Sequence, residues 1–313
     1  MKRLQNRVAE SGLSLPVTAV GALCVWMAAG LFIHPLWLQL ACFVLAVYLM
    51  VEMSNSNALL RIRSRMVSVS FMTLMCTISP LFGSLSSALT QVFVIISTLL
   101  LLSTYQDKSS PGRVFYAFLF VGLASITFVQ MLLLLPLLWL LMATQLQSLS
   151  WRSFFASLLG TTLPYWLASP WLIFQRDISL LADHFSQLAT FQVPSDYSSI
   201  APGLWVAYAL MVVLTAIGIV SFWHHSYEDK IRIRLLYGFF TWMSSVFLLL
   251  VVLQPSHFDP LIRLAIVFAS PLTAHFLALT YTRITNIMFI VIAALAALVT
   301  IWNLISEWIS PLF

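Results

Sequence analysis

The stretch that decides the fold reads IRIRLLYGFFTWMSSVFLLLVVL and covers residues 231–253. Its two arginines, Arg232 and Arg234, precede a segment, 235–253, that carries no charged side chain. A helix of about 20 apolar residues spans the hydrocarbon core of a bilayer, which is about 30 Å thick. Basic residues stay on the cytoplasmic side during insertion. The stretch therefore predicts a transmembrane helix that enters the membrane from the cytoplasm.

Similar apolar runs recur along the whole chain and predict about eleven spans. We place them at about 14–33, 36–53, 66–84, 87–104, 114–129, 131–147, 153–173, 204–223, 235–253, 261–281 and 286–305. Residues 114–147 are also long enough for a single helix, but that alternative would move the later basic residues to the outer side. We therefore expect two short spans with a turn near Gln130.

Threading these spans from a cytoplasmic N-terminus leaves only two basic residues, Arg176 and Arg263, on the outer side. The basic residues on the cytoplasmic side are Lys2, Arg3, Arg7, Arg61, Arg63, Arg65, Lys108, Arg113, Arg152, Lys230, Arg232, Arg234 and Arg283. This bias is typical of polytopic helical membrane proteins. We predict an all-α transmembrane bundle, with residues 1–313 as a single transmembrane domain.

Composition limits the classes of function. Hydrophobic residues make up 61% of the chain, charged residues 8%, and the net charge is +5. A soluble domain carries roughly a quarter charged residues, so this chain cannot cover a water-facing surface. The positive charge lies in short inner loops facing anionic lipid, which makes nucleic acid an unsuitable partner. The three cysteines lie inside predicted spans and match no metal spacing, so we predict no metal and name no cofactor.

The longest outer connection, about 174–203, predicts an amphipathic helix at the membrane interface. Ile178, Leu181, Phe185 and Leu188 fall on one helical face, and Asp177 is suited to cap the start of the helix. A helix with one apolar face lies flat at a bilayer surface. The sequence therefore places one interfacial helix on the outer side.

Acidic residues on the outer side are candidates for chemistry. Asp177 and Asp183 lie beside His184, and carboxylates near an imidazole can perform general acid–base catalysis. We take these three as candidate catalytic residues. The alternative is a solvated rim whose acids are tolerated because they hardly direct insertion.

Asp259, Arg263 and Arg176 are the candidate substrate-binding residues. An outer arginine can hold a lipid phosphate in a forked geometry. Asp259 and Arg263 are four residues apart, so they can also face each other on one helix turn and hide the charge. Both interpretations stay open.

Two groups near the inner side receive structural interpretations. His275 is the one ionisable side chain well inside a predicted span, and we expect a neutral imidazole bonded to a neighbouring helix. Glu52 lies at the inner end of the second span, and we expect the Arg61–Arg65 cluster to be its partner.

Two resemblances extend these expectations. The segments 115–125, 149–166, Asn55-Ser56-Asn57 and Arg61-Ile62-Arg63 resemble an uncharacterised bacterial family of multi-pass inner-membrane proteins. The layout of short paired spans followed by a long outer loop is similar to membrane-embedded glycosyltransferases that use polyprenyl-phosphate sugars. Those enzymes keep a catalytic acid in a large first outer loop, which is His34-Pro35 here; Asp177 or Asp183 would have to replace it.

These features suggest three functions. The first is an inner-membrane protein of bacterial envelope biogenesis that handles a lipid or a polyprenyl-phosphate-linked substrate at the outer leaflet. The second, suggested by proline-interrupted spans such as 153–173, is a solute permease or channel. The third is a non-catalytic subunit that binds another membrane protein. The phospholipid bilayer is a partner in all three.

Overall fold

The computed structural model describes residues 3–174, 179–188, 197–198 and 200–309. It is 82% helical and has no strand in those ranges, which confirms the predicted all-α class. The α-helices of the described ranges are α1 (Leu4–Glu10), α2 (Ser14–Ala28), α3 (Trp37–Asn57), α4 (Met66–Cys76), α5 (Leu85–Leu102), α6 (Pro111–Thr127), α7 (Leu135–Thr144), α8 (Trp151–Phe174), α9 (Ser179–Ser186), α10 (Pro202–His225), α11 (Ile231–Leu253), α12 (Phe258–Leu279) and α13 (Arg283–Ile309).

The chain divides into two compact units. The first unit consists of Met1–Leu85 and Asp196–Phe313, and the second of Ser86–Ser195. The first therefore holds α1–α4 and α10–α13, whereas the second holds α6–α9 and all but the first residue of α5. That both belong to one transmembrane domain stays a prediction.

Six helices of the described ranges are long and apolar enough to cross a membrane: α3, α5, α10, α11, α12 and α13. Helices α1 and α2 form a seventh span if they are counted together, although the chain bends by 92° between them. Several helices are thus compatible with an integral membrane protein. The predicted count of about eleven spans is not confirmed.

The helix is broken within the span predicted at 66–84 and between the two short spans predicted in 114–147. The helix expected over 66–84 ends at Cys76, and a short 3₁₀ helix, Ser79–Leu81, follows it with Pro80 in its first turn. Proline lacks the N–H that an α-helix requires. Within 114–147, α6 ends before Phe128, whose backbone is extended (φ −148°), and a 3₁₀ helix precedes α7. A single long helix is therefore absent from this region.

Helix α12 is the core of the first unit. Its apolar window is completely buried, and α1, α4, α10 and α11 pack against it. On α12, Phe268 stacks nearly parallel on Phe247 of α11, with ring centroids 5.4 Å apart. Helix α13, by contrast, is buried over only 17% of its window. Such exposed apolar faces are unfavourable in water and suit a hydrocarbon environment.

The connections of the first unit meet at two ends of α12. Near its start, Nη2 of Arg263 donates to the carbonyl of Leu81. Near its end, Nε2 of Gln5 donates to the carbonyl of Leu277 over 2.8 Å. The connections predicted as outer and inner thus lie at different ends of this unit. Which end faces the cytoplasm stays a prediction.

In the second unit, α6 and α8 approach so closely that only glycine fits at two contacts. A Cβ atom added to Gly122 would lie 2.6 Å from the carbonyl oxygen of Thr161. One added to Gly160 would overlap the carbonyl oxygen of Phe115. Small residues allow helix backbones to approach in this way, which is common in membrane bundles.

Candidate functional site

The predicted catalytic residues that the structure describes, Asp183 and His184, lie on α9 in the second unit. Asp183 is exposed and His184 is half-buried. Nε2 of His184 lies 3.1 Å from the carbonyl oxygen of Ser125 and 3.4 Å from the hydroxyl of Tyr165. The third candidate, Asp177, lies outside the described residues.

These contacts determine which ring nitrogen of His184 carries a hydrogen. A carbonyl oxygen only accepts, so Nε2 of His184 carries a hydrogen and donates it. The hydroxyl of Ser125 donates to the carbonyl of Gly122 over 2.6 Å, so the 2.7 Å contact between Ser125 and Tyr165 has Tyr165 as the donor. The hydrogen on Nε2 of His184 thus attaches α9 to α6 and lies near the Tyr165 hydroxyl of α8, and the hydroxyl hydrogen of Tyr165 attaches α8 to α6. The nitrogen of His184 that can still accept a proton is Nδ1.

The predicted substrate-binding pair, Asp259 and Arg263, lies at the start of α12 in the first unit. Nε of Arg263 donates to Oδ1 of Asp259 over 2.7 Å, as the four-residue spacing predicts. The Arg263 side chain is 3% exposed and that of Asp259 is 20% exposed. The structure therefore contains the intrahelical ion pair, in which Asp259 offsets the charge of the buried Arg263. Phosphate binding by Arg263 stays a prediction. The third candidate, Arg176, lies outside the described residues.

The structure brings together a second set of ionisable groups at the other end of α12. Nε2 of His275 lies 3.2 Å from Oδ2 of Asp229, and both side chains are 1% exposed. Oδ1 of Asp229 accepts a 2.6 Å hydrogen bond from Nε of Arg61, and Nη1 of Arg61 also pairs with Glu228. We call these four residues the inner cluster.

Local structure positions each member of the inner cluster. Helix α3 ends because Ala58 adopts a left-handed conformation (φ 48°), which turns the chain towards Arg61. Glu228 ends a 3₁₀ helix after α10, and Asp229 follows it in an extended conformation just before α11. His275 lies on α12 with its ring 4.9 Å from that of Tyr237 and 5.4 Å from that of Phe222.

The hydrogen bonds determine the charge of Asp229. Burial alone would raise the pKa of this carboxyl group. The hydrogen bonds from His275 and Arg61 lower it by more, so the pKa of Asp229 lies below its ordinary value of 3.8. Asp229 is therefore a carboxylate at neutral pH, held between an imidazole and a guanidinium.

Sequence reasoning missed this cluster. We expected the Arg61–Arg65 cluster to be the partner of Glu52, whereas the guanidinium of Arg61 pairs with Glu228 and Asp229. The signal that could have indicated it was His275, the one ionisable group inside an apolar span. Within the described ranges, no three His, Cys, Asp or Glu side chains converge where they could hold a metal ion.

Two adjoining cavities lie in the first unit: the larger between α2, α4 and α13, and the smaller between these helices and α1, α10 and α12. Their volumes are about 330 and 160 Å³. They share four lining residues, Thr18, Thr73, Ala293 and Ala296. The smaller cavity begins near the start of α4 and the larger one continues to its end at Cys76. We call the two together the apolar groove.

The lining of the apolar groove presents few polar atoms. The hydroxyls of Thr18, Thr73 and Thr300 donate to carbonyls of their own helices over 2.8–2.9 Å, so their hydrogens are already bonded within the protein. The exception in the smaller cavity is Ser70, whose buried hydroxyl has no hydrogen-bond partner among the described residues. Such a cavity favours a hydrocarbon chain over a polar solute.

The fold defines a class: an all-α protein with several helices that are compatible with a membrane. Comparison of the chain with protein-family models, curated proteins and solved structures found no match. The apolar groove and the ionisable groups described above are therefore the features of this chain that bear on its function.

Proposed function

We propose that the protein binds the hydrocarbon chain of a lipid, or of a polyprenyl-phosphate-linked substrate, in the apolar groove. In this proposal it is an integral protein of a bacterial inner membrane that handles the lipid at the outer leaflet during envelope biogenesis. The observation that carries the proposal is the pair of adjoining cavities that α2, α4 and α13 line.

The position of the groove supports a lipid chain as its occupant. Helix α13, which forms one wall, exposes large apolar side chains such as Ile287 (60% exposed) and Leu298 (62% exposed). A face of this kind is covered by hydrocarbon in a bilayer, so lipid chains surround the groove at high concentration. Because the groove follows the length of α4, a chain lying in it would be parallel to the neighbouring lipids.

Small side chains make room for that chain. Gly21 and Ala22 of α2 face Ala293, Ala296 and Ala297 of α13 across the larger cavity. Two helices lined with small residues would normally pack directly on each other. Here a cavity of about 330 Å³ stays between them, which supports a bound apolar group as part of the working protein.

The head group would then lie where the groove meets the polar surface. Asp259 and Arg263, which belong to the same unit as the groove, remain the proposed head-group contacts, whereas an acid–base role for Asp183 and His184 of the second unit stays a separate prediction. Arginine suits a phosphate because its planar guanidinium donates two parallel hydrogen bonds. In this proposal a phosphate would compete with Asp259 for the guanidinium.

The test compares two neighbouring alanines of α13. Ala293 lines both cavities, whereas Ala294 is exposed and lines neither, so Ala294→Phe is a matched control for Ala293→Phe. The full chain is purified in mild detergent, and bound lipid is measured by native mass spectrometry and by extraction. We expect lipid on the wild type and the control, and a several-fold loss in Ala293→Phe.

Two results would contradict the proposal. Equal lipid content in both variants would exclude the apolar groove as the binding site. A wild-type protein that retains no lipid, but transports a solute into proteoliposomes or copurifies with a second chain, would favour a permease or a non-catalytic subunit instead.

A further inference from the structure

His275, a buried imidazole near the end of α12, has one ring nitrogen without a hydrogen-bond partner among the described residues. The Nδ1 atom of His275 is buried and has no hydrogen-bond partner among the described residues. Its other nitrogen, Nε2, lies 3.2 Å from Oδ2 of Asp229. Because an ionised carboxylate only accepts hydrogen bonds, Nε2 carries the hydrogen of this contact. A neutral His275 therefore has its lone pair on Nδ1.

The inner cluster carries an excess of negative charge when His275 is neutral. The single guanidinium of Arg61 faces two carboxylates, those of Glu228 and Asp229. A proton on His275 would bring the cluster to neutrality. Charge balance matters here because a low-dielectric environment strengthens each interaction with Asp229, whose side chain is 1% exposed.

The other groups packed around His275 do not supply that balance. On α11, Tyr237 presents an aromatic ring and a buried hydroxyl, which carries no positive charge; on α10, His225 bonds the carbonyl of Ser221 through its own Nδ1, and its electrostatic effect falls on Glu228 and not on Asp229. The further charged groups on the elements packed against α12 lie at their exposed ends: Arg7 and Glu10 on α1, Arg65 before α4, Lys230 before α11, and Arg232 and Arg234 on α11.

We propose that His275 is a proton-binding site, in which Nδ1 takes up a proton from water and Asp229 is the counter-ion. The proton arrives through the partly exposed rim of the cluster, since the side chains of Arg61 and Glu228 are 32% and 41% exposed. No bond other than N–H forms. Imidazole is the side chain whose ordinary proton exchange falls between about pH 5 and 8.

The proton would strengthen the attachment of two connections to the core helix. Asp229 belongs to the connection between α10 and α11, and Arg61 to that between α3 and α4. Both connections contact α12 through the Asp229 carboxylate, which bonds Arg61 and His275. When His275 becomes charged, its hydrogen bond to Asp229 becomes an ion pair. These connections are predicted to face the cytoplasm, so the site would report the pH of that side.

The direct test is the ¹⁵N spectrum of histidine in the full-length protein, titrated from pH 8 to pH 5. The signal of His275 is identified by its absence in His275→Gln. We expect it to change from neutral imidazole to imidazolium in this range. In Asp229→Asn, the midpoint should move to lower pH by about one unit or more. Glu228→Gln is the matched control, because its carboxylate does not contact His275, and it should shift the midpoint less.

A stability measurement adds an independent check. The difference in unfolding temperature between wild type and His275→Gln should be larger at pH 5.5 than at pH 8, by about 2–4 °C. An imidazole that stays neutral down to pH 5 would overturn the proposal. An Asp229→Asn midpoint equal to that of wild type would overturn the role of the counter-ion. If Asp229→Asn does not fold, the wild-type titration still decides whether His275 binds a proton.

Discussion

Replacing Gly160 by alanine tests the close contact between α6 and α8. The new Cβ would overlap the carbonyl oxygen of Phe115 and lie 3.0 Å from the backbone nitrogen of Leu119. Both are backbone atoms, which cannot rotate away as a flexible side chain can. The helices would have to separate, and overpacking of this kind costs about 1–3 kcal/mol.

Intrinsic helix propensity acts in the opposite direction. Alanine is favoured over glycine inside a helix by about 0.5–1 kcal/mol. The net expectation for Gly160→Ala is a loss of about 1–2 kcal/mol, because the steric term exceeds the propensity gain. Gly112 of α6 is the control: a Cβ there meets nothing within 4 Å, so Gly112→Ala should leave stability unchanged or raise it slightly.

Both variants are compared with the wild type by thermal unfolding in the same detergent, with helix content followed by circular dichroism. Gly122→Ala, whose Cβ would lie 2.6 Å from the Thr161 carbonyl oxygen, should behave like Gly160→Ala. If Gly160→Ala proves as stable as Gly112→Ala, the close approach of α6 and α8 is wrong.

Three further changes test the first unit by the same unfolding assay. Asn303→Leu removes a 2.7 Å hydrogen bond to the buried carbonyl of Thr77 and should cost about 1–3 kcal/mol; no loss would contradict that contact. Arg263→Met should cost about 3 kcal/mol because it leaves Asp259 without this cation, and adding Asp259→Asn should restore part of the loss. The pKa of Asp229 is lowered, so its stabilisation is present above its ordinary value of 3.8 and is lost as pH falls through the lowered folded-state value. Between pH 5 and pH 3 the wild type should therefore lose more stability than Asp229→Asn, and equal losses would refute the depressed pKa.

The sequence predicts the helices well where hydrophobicity alone decides them. The span expected at about 235–253 is α11, and that at about 204–223 is α10, because each is an uninterrupted apolar run between polar ends. The same signal overestimates the helix at 66–84, where Pro80 removes a donor and the chain turns. Hydropathy measures only how apolar a segment is, whereas proline ends a helix because it lacks a backbone N–H.

The inner cluster was not predictable because its contacts join distant parts of the chain. His275 and Asp229 are 46 residues apart, and Arg61 and Asp229 are 168 apart. Charge placement gives all these residues the same side of the membrane, but it does not select partners among them. Asp259 and Arg263 are the opposite case, because four residues along one helix already place the two side chains together.

The complete burial of α12 has a consequence for the order of biosynthesis. A buried helix is held in position by the helices around it, and here α1, α4, α10 and α11 all precede α12 in the chain. The hydrogen-bond partners of Arg263 and His275 on α12 also come earlier in the chain. They are Leu81 and Asp259 for Arg263, and Asp229 for His275. When α12 leaves the ribosome, these four helices have already been translated, so α12 can pack against them before α13 is made.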